Sequence, residues 1–210
     1  MTNDSKNSHL PYHLKTSKPS PWVVRFAPLV KAQGCVLDLA CGGGRHSRYF
    51  LEQGNKVVAI DRSIDADAVA DLSDNPACEI ICADLETNEA VFEKLGELAE
   101  HSFDAIIVVN YLHRPLFNYF INALAPGGIL IYETFARGNE QFTQPRNPDH
   151  LLKSAELLNL AQGELDVIAY EHGIDEKRRL SVVIQRICAI KPEGPSKRED
   201  GEAEPKNLNL

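Results

Sequence analysis

Cys35-Val36-Leu37-Asp38-Leu39-Ala40-Cys41-Gly42-Gly43-Gly44-Arg45-His46 decides how the rest of the chain is read. Val36, Leu37 and Leu39 make a short buried strand, Asp38 sits at its carboxyl end, and three successive glycines follow. A turn without Cβ atoms can take positive φ and lets a ligand approach the backbone closely. A helix over residues 45–53 is predicted next, and its first turn offers free N–H groups. Working outward, Lys56-Val57-Val58-Ala59-Ile60-Asp61 is a second apolar strand ending in an acid. Its spacing from the turn is the ~20 residues at which nucleotide folds place a ribose-binding carboxylate.

The same grammar repeats downstream. A helix over 64–72 leads to the strand Glu79-Ile80-Ile81-Cys82-Ala83-Asp84, and a helix over 89–99 to Phe103-Asp104-Ala105-Ile106-Ile107-Val108-Val109-Asn110. That last run is apolar almost throughout, as in a strand covered on both faces of a parallel sheet. A helix over 116–124 and Ala125-Pro126-Gly127-Gly128 precede the strand Ile129-Leu130-Ile131-Tyr132-Glu133-Thr134. Strands alternating with helices predict right-handed crossovers, with ligands outside the carboxyl ends of the strands. Asp38, Asp61, Asp84, Asn110 and Glu133 all fall at such ends. Beyond them come a loop over 135–149, a helix over 150–162, and strands over 165–171 and 180–190 that form an antiparallel hairpin. The expected architecture is α/β: a single Rossmann-like, doubly wound, mostly parallel seven-stranded sheet closed by that hairpin. Upstream, Ser20-Pro21-Trp22 starts a helix reaching about residue 32, with serine as cap and proline at its first position. Residues 1–18 read as a flexible, locally basic arm, 19–191 as the one domain, and 192–210 as a disordered tail rich in Pro, Gly and charge.

Composition narrows the function classes. The 210 residues carry a net charge of −8, with 43% hydrophobic and 25% charged residues. This is a soluble, acidic balance that argues against nucleic acid or an anionic membrane as main partner. The seven histidines show no metal-ligand spacing, and the five cysteines lack paired CxxC units, so no metal site is expected. A polar N-terminus and the absence of a long apolar run point to a cytoplasmic protein.

The glycine segment resembles the cofactor-binding start of class I S-adenosylmethionine-dependent methyltransferases, whose first motif approximates Asp-x-Gly-x-Gly-x-Gly. Gly42 and Gly44 match it, while Ala40 stands where the first glycine is usual. Charge favours this cofactor over NAD, because an acid before the glycines repels a pyrophosphate and attracts a positively charged methionine end. The resemblance implies a cofactor site of Asp38, Ala40, Cys41, Gly42, Gly44 and His46, with Asp61 and Arg62 from the second strand end. Asp84 and Leu85 come from the third and Asn110 from the fourth. Asp61 suits the two ribose hydroxyls and Asp38 the ammonium group, directly or through water. Each could instead be a strand-end acid capping a neighbouring helix.

The catalytic candidates lie in Asn110-Tyr111-Leu112-His113-Arg114-Pro115, with Tyr111 and His113 as the groups and His113 as a possible base. This segment lacks the Asn-Pro-Pro-Tyr signature of amino-group methylases. It looks like the small-molecule branch, including tellurite-resistance-type and thiopurine-type enzymes. Arg114, Arg137 and Arg146 could bind an anionic acceptor or serve only to solvate the surface. Trp22 could anchor its helix or cover the site. The leading function is methyl transfer from S-adenosylmethionine to a small molecule. The alternatives are a catalytically silent S-adenosylmethionine-binding module acting through a partner, an RNA methyltransferase, and a nicotinamide-dependent oxidoreductase.

Overall fold

The computed structural model describes residues 18–65, 67–86, 103–178, 180–196 and 198–202, together with 205 and 207. The arm over 1–17, the helix expected over 89–99 and part of the C-terminal tail lie outside the described residues.

Seven strands form one sheet: β1 (Cys35–Leu39), β2 (Lys56–Asp61), β3 (Cys78–Cys82), β4 (Phe103–Val109), β5 (Leu124–Phe135), β6 (Asp166–Asp175) and β7 (Val182–Ile190). Their order is β3-β2-β1-β4-β5-β7-β6. The first five run parallel, while β7 inserts antiparallel between β5 and β6. This is the expected doubly wound sheet closed by a hairpin. The helices among the described residues are α1 (Pro21–Phe26), α2 (Arg45–Glu52), α3 (Ala70–Ser73), α4 (Phe117–Ala123) and α5 (Glu156–Ala161). None of them is long and apolar enough to cross a membrane.

Both sheet faces are covered, which explains why β4 carries no polar alternation. Ile106 and Val108 join one core with Leu37, Leu39 and Tyr132, whereas Ala105 and Ile107 join the other with Val36, Trp22 and Phe26. Each fully buried Ile, Leu or Phe contributes roughly 1.5–3 kcal/mol. A register irregularity between Phe103 and Ala105 absorbs the Ala125-Pro126-Gly127-Gly128 segment at the start of β5. Gly128 is required there, since a Cβ would stand 2.8 Å from the carbonyl oxygens of both Ala125 and Phe103.

Three helices are shorter than the sequence predicts. The first stops at Phe26 and tightens into a 3₁₀ turn over Ala27–Leu29, because Pro28 has no N–H to continue the ladder. The segment predicted as a helix over 64–72 yields only α3, because the Asp65 carboxylate captures the Ala68 N–H and folds the chain into a turn first. The helix predicted over 150–162 is reduced to α5. Leu152 is held extended, donating to Phe135 O while its own carbonyl accepts from Arg137 N. The closing hairpin departs in the other direction, with β6 running on to Asp175, opposite Val182.

The N-terminal helix is fastened by buried polar contacts. Ser20 Oγ accepts from Trp22 N at 3.2 Å, capping α1, and donates to Glu133 Oε1 at 3.1 Å. Trp22 is buried, and its indole donates to Ile187 O at 3.2 Å, so it anchors the helix on the sheet. Glu133 is 1% exposed and meets Arg178 at 2.7 Å and Arg186 at 3.3 Å. The Arg186 guanidinium also lies 4.9 Å from the Trp22 ring centroid. A buried carboxylate between two guanidinium groups is costly to disrupt from either side. Removing Glu133 takes away the buried partner of both guanidinium groups, which keep only Asp175 and the more exposed Glu171. Glu133→Ala is therefore expected to lower the unfolding free energy by about 1.5–3 kcal/mol, the scale of hydrogen bonds to a charged group, and a urea transition displaced by less than ~1 kcal/mol would refute this role.

Candidate cofactor and acceptor site

The glycine turn is fixed from three sides. The buried Asp38 carboxylate accepts from Ser47 N at 2.9 Å and Ser47 Oγ at 2.6 Å, tying the end of β1 to the first turn of α2. The Asp61 Oδ2 atom accepts from Gly42 N at 2.9 Å, linking the turn to the end of β2. Arg48 donates to Gly43 O and, at 2.5 Å, to Ala68 O, while pairing with Asp71. Gly44 has φ +74°, and a Cβ there would collide with the Leu72 side chain. Its demand is thus packing as well as conformation. Ala40 takes φ +54° at the position where the family motif has glycine. An L-residue in that region costs roughly 1–2 kcal/mol.

These contacts sort the sequence candidates by access. Asp38 and His46 are buried at 2% and 3% exposure. Asp38 therefore takes the helix-capping role, which leaves its carboxylate behind the turn. His46 Nε2 accepts from Ser20 N at 3.2 Å, which places the imidazole proton on Nδ1, 3.8 Å from Asp38 Oδ1. Cys41 is also buried; burial, then Asp38 and Asp61, push its thiol well up, so it stays a neutral turn residue. Asp61 is half-buried, and its Oδ1 accepts from Ser63 N at 2.9 Å. One acceptor position remains on each oxygen. Asp84 Oδ1 accepts from Glu86 N at 2.9 Å, presenting the 84–86 backbone beside the exposed Arg62; the Leu85 side chain is in the core. Asn110 ends β4 with φ +59°, a conformation asparagine tolerates.

A cavity of about 250 Å³ opens past the ends of β4 and β5. Asn110, Tyr111 and Leu112 form one side, Thr134 and Phe135 another, and Glu86, Pro145 and His150 complete it. The Tyr111 hydroxyl is buried and hydrogen-bonds to none of the described residues. Burial, then the Glu86 and Asp84 carboxylates, push this phenol well up, so it is a standing donor. A buried donor without a partner costs about 1–3 kcal/mol, and a ligand acceptor would relieve it. His113 does not line the cavity, and its carbonyl accepts from Leu116 N in the turn before α4.

The sequence reading missed His150, because it placed that residue inside a helix. A proline two residues upstream is the available signal, since Asn147-Pro148 favours a turn. The wall that carries His150 is well secured. The buried Asn139 accepts from Val183 N and donates to the carbonyls of Thr143 and Pro145. Arg114 donates to Asp149 O at 2.7 Å and Leu151 O at 3.0 Å, and pairs with Glu156 at 2.5 Å. Arg137 pairs with Glu140.

Comparison with known proteins agrees with this geometry. Residues 36–128 match the family model described as a methyltransferase domain. The chain is similar to a ubiquinone biosynthesis O-methyltransferase of Paracidovorax citrulli, 29% identical over 144 residues. That match covers 66% of this chain but only 58% of the relative's length. Among solved structures, 1,6-didemethyltoxoflavin-N1-methyltransferase of Burkholderia thailandensis, with 1,6-didemethyltoxoflavin and S-adenosylhomocysteine bound, superposes with a TM-score of 0.59. It is 16% identical, and the alignment covers 81% of this chain and 76% of that one. An S-adenosylmethionine-dependent methyltransferase of Mesorhizobium loti gives 0.60 at 18% identity, covering 79% and 95%.

Two expected outcomes test the local physics. Ala40→Gly relieves the left-handed strain, partly offset by a looser unfolded chain, and should raise stability by up to ~1 kcal/mol; an unchanged or lower Tm contradicts it. For Glu156, burial raises the carboxyl, but hydrogen bonds from Arg114 and Lys153 N outweigh it and hold the group below its ordinary 4.5. The pair's contribution is therefore complete above that pH and fades as pH falls through and below it. The wild-type urea midpoint should drop on acidification more steeply than that of Glu156→Gln. Equal slopes would remove the pair from the acid response. Residues 36–128 thus match a methyltransferase domain, and the sheet order is that of the Rossmann-like S-adenosylmethionine-dependent methyltransferase fold.

Proposed function

We propose that this protein transfers the methyl group of S-adenosylmethionine to a small-molecule acceptor held in the cavity beyond β4 and β5. The observation that carries the reading is the Gly42–Asp61 contact. It sets a side-chain-free turn beside a carboxylate with acceptor positions to spare. The ribose hydroxyls suit Asp61, and the adenine edge suits the backbone after Asp84. The turn from Ala40 to Gly44 takes the methionine end, with Asp38 acting through the turn rather than by direct contact. When bound, the cofactor supplies an electrophilic methyl on a positively charged sulfur. The chain's task is alignment: it holds the acceptor in line and excludes water from the approach. Tyr111 contributes a neutral hydroxyl that can donate to the acceptor or the cofactor. The size of the cavity supports a small acceptor, as does the heterocycle bound by the Burkholderia enzyme.

The test is calorimetric titration of S-adenosylhomocysteine into the wild type and Asp61→Ala. Loss of charge-assisted hydrogen bonds of about 1.5–3 kcal/mol should weaken binding roughly 10- to 100-fold. Equal affinity would displace the ribose contact from Asp61. No binding by the wild type would end the methyltransferase reading.

A further inference from the structure

We infer that the acceptor is a small, uncharged aromatic hydroxyl compound, and that His150 is the base that takes its proton. This deepens the methyltransferase reading and rests on it.

Three observations converge. First, the cavity presents no arginine or lysine among the described residues; its charged or titratable groups are Glu86, Tyr111 and His150. Of the three arginines that could have bound an anion, Arg114 pairs with Glu156 and Arg137 with Glu140, while Arg146 is exposed and outside the lining. An acceptor carboxylate would meet Glu86 in the lining, and the one cation acting on Tyr111, Arg62, is outweighed there by the Glu86 and Asp84 carboxylates. Second, apart from Asn110 and Thr134, the remaining walls are apolar or aromatic: Leu112, Phe135, Pro145 and the Tyr111 ring. A dry apolar cavity of about 150 Å³ holds benzene, so about 250 Å³ accommodates a substituted or fused ring. Third, His150 is fixed at the cavity by its backbone. Arg114 binds the carbonyls of the residues on both sides of it, and Asn147 Oδ1 accepts from Asp149 N at 3.1 Å.

The chemistry asks for a base in that place. A phenol has an ordinary pKa of about 10 and keeps its proton at neutral pH, whereas imidazole is poised to accept one. As the acceptor oxygen bonds to the methyl carbon, the carbon–sulfur bond breaks and its electron pair stays on sulfur, leaving a neutral thioether. The hydroxyl proton passes to His150, which later releases it to water. Tyr111, protonated throughout, can hold the acceptor oxygen in line. The groups facing His150 are Glu86 and Tyr111 across the cavity and Arg114 behind its backbone.

Catechol and 3,4-dihydroxybenzoate are the probes, assayed for methyl transfer with the full chain, wild type and His150→Gln. Catechol should be methylated with a kcat/KM at least ~10-fold above its carboxylate counterpart. His150→Gln should lower kcat about 100-fold, abolish the acid limb of the kcat–pH profile, and leave S-adenosylhomocysteine affinity unchanged. Preference for the carboxylate overturns the acceptor class, as does transfer to neither probe by a wild type that binds S-adenosylhomocysteine. A variant that keeps its kcat and its acid limb overturns the role of His150. Failure of the wild type to bind S-adenosylhomocysteine removes the methyltransferase reading itself and is seen in the titration alone.

Discussion

The double hydrogen bond from Ser47 to the Asp38 carboxylate is the constraint on which the site depends. It joins the last residues of β1 to the first turn of α2, so the five residues between them must close a tight arc. Everything else about that arc follows from its shortness. Ala40, Gly42 and Gly44 are driven to positive φ, and Gly42 turns its N–H toward Asp61. A buried carboxylate that already accepts from two donors on one oxygen is held in place by the fold rather than by a ligand. The turn is therefore built before anything binds to it, which is the condition for low-cost recognition.

The fold was largely legible because each parallel strand announces itself twice, by an apolar run and by a polar terminal residue. The boundaries that could not be read share one cause. Local helix signals lost to contacts made from far away in sequence: Leu152 to Phe135 and Arg137, and the hairpin to β5. For the site, strand-end position singled out Asp61 and Asp84 but could not say which carboxylates face inward. Asp38 and Glu133 have the same sequence signature as Asp61, yet each is sealed off by partners, Ser47 for one and Ser20 with two arginines for the other. The distinction lies in what stands opposite, which a single strand does not encode. His150 was invisible for a related reason, since its location depends on Arg114, 36 positions earlier in the numbering, gripping the backbone around it.

The two sides of the crevice are made differently. The glycine-turn side is short-range: turn, helix start and next strand lie within about 25 residues of one another, counted from Asp38 to Asp61. The cavity side gathers residues from β4, β5 and the 136–150 segment, held by Asn139 and Arg114 through main-chain atoms. Main-chain anchoring, by the side chains of Asn139, Asn147 and Arg114, leaves the cavity-facing side chains of Pro145 and His150 free of structural duty. Substitutions at Pro145 or His150 can then alter the cavity without unfastening its wall, which suits a fold that serves many acceptors on one cofactor frame.

The seat of α1 has a further consequence during synthesis. Trp22 donates to a carbonyl 165 residues further along the chain, and Ser20 to a carboxylate 113 residues further along. Until β7 has been made, the face bearing Trp22, Val23 and Phe26 lacks Cys188 and the Ile187 carbonyl that complete its seat. At roughly 5–20 residues per second, that interval lasts on the order of 8–33 s. The nascent chain thus carries an incompletely covered aromatic segment throughout that interval, and the ribosome-associated chaperones that bind such segments have that long to find it.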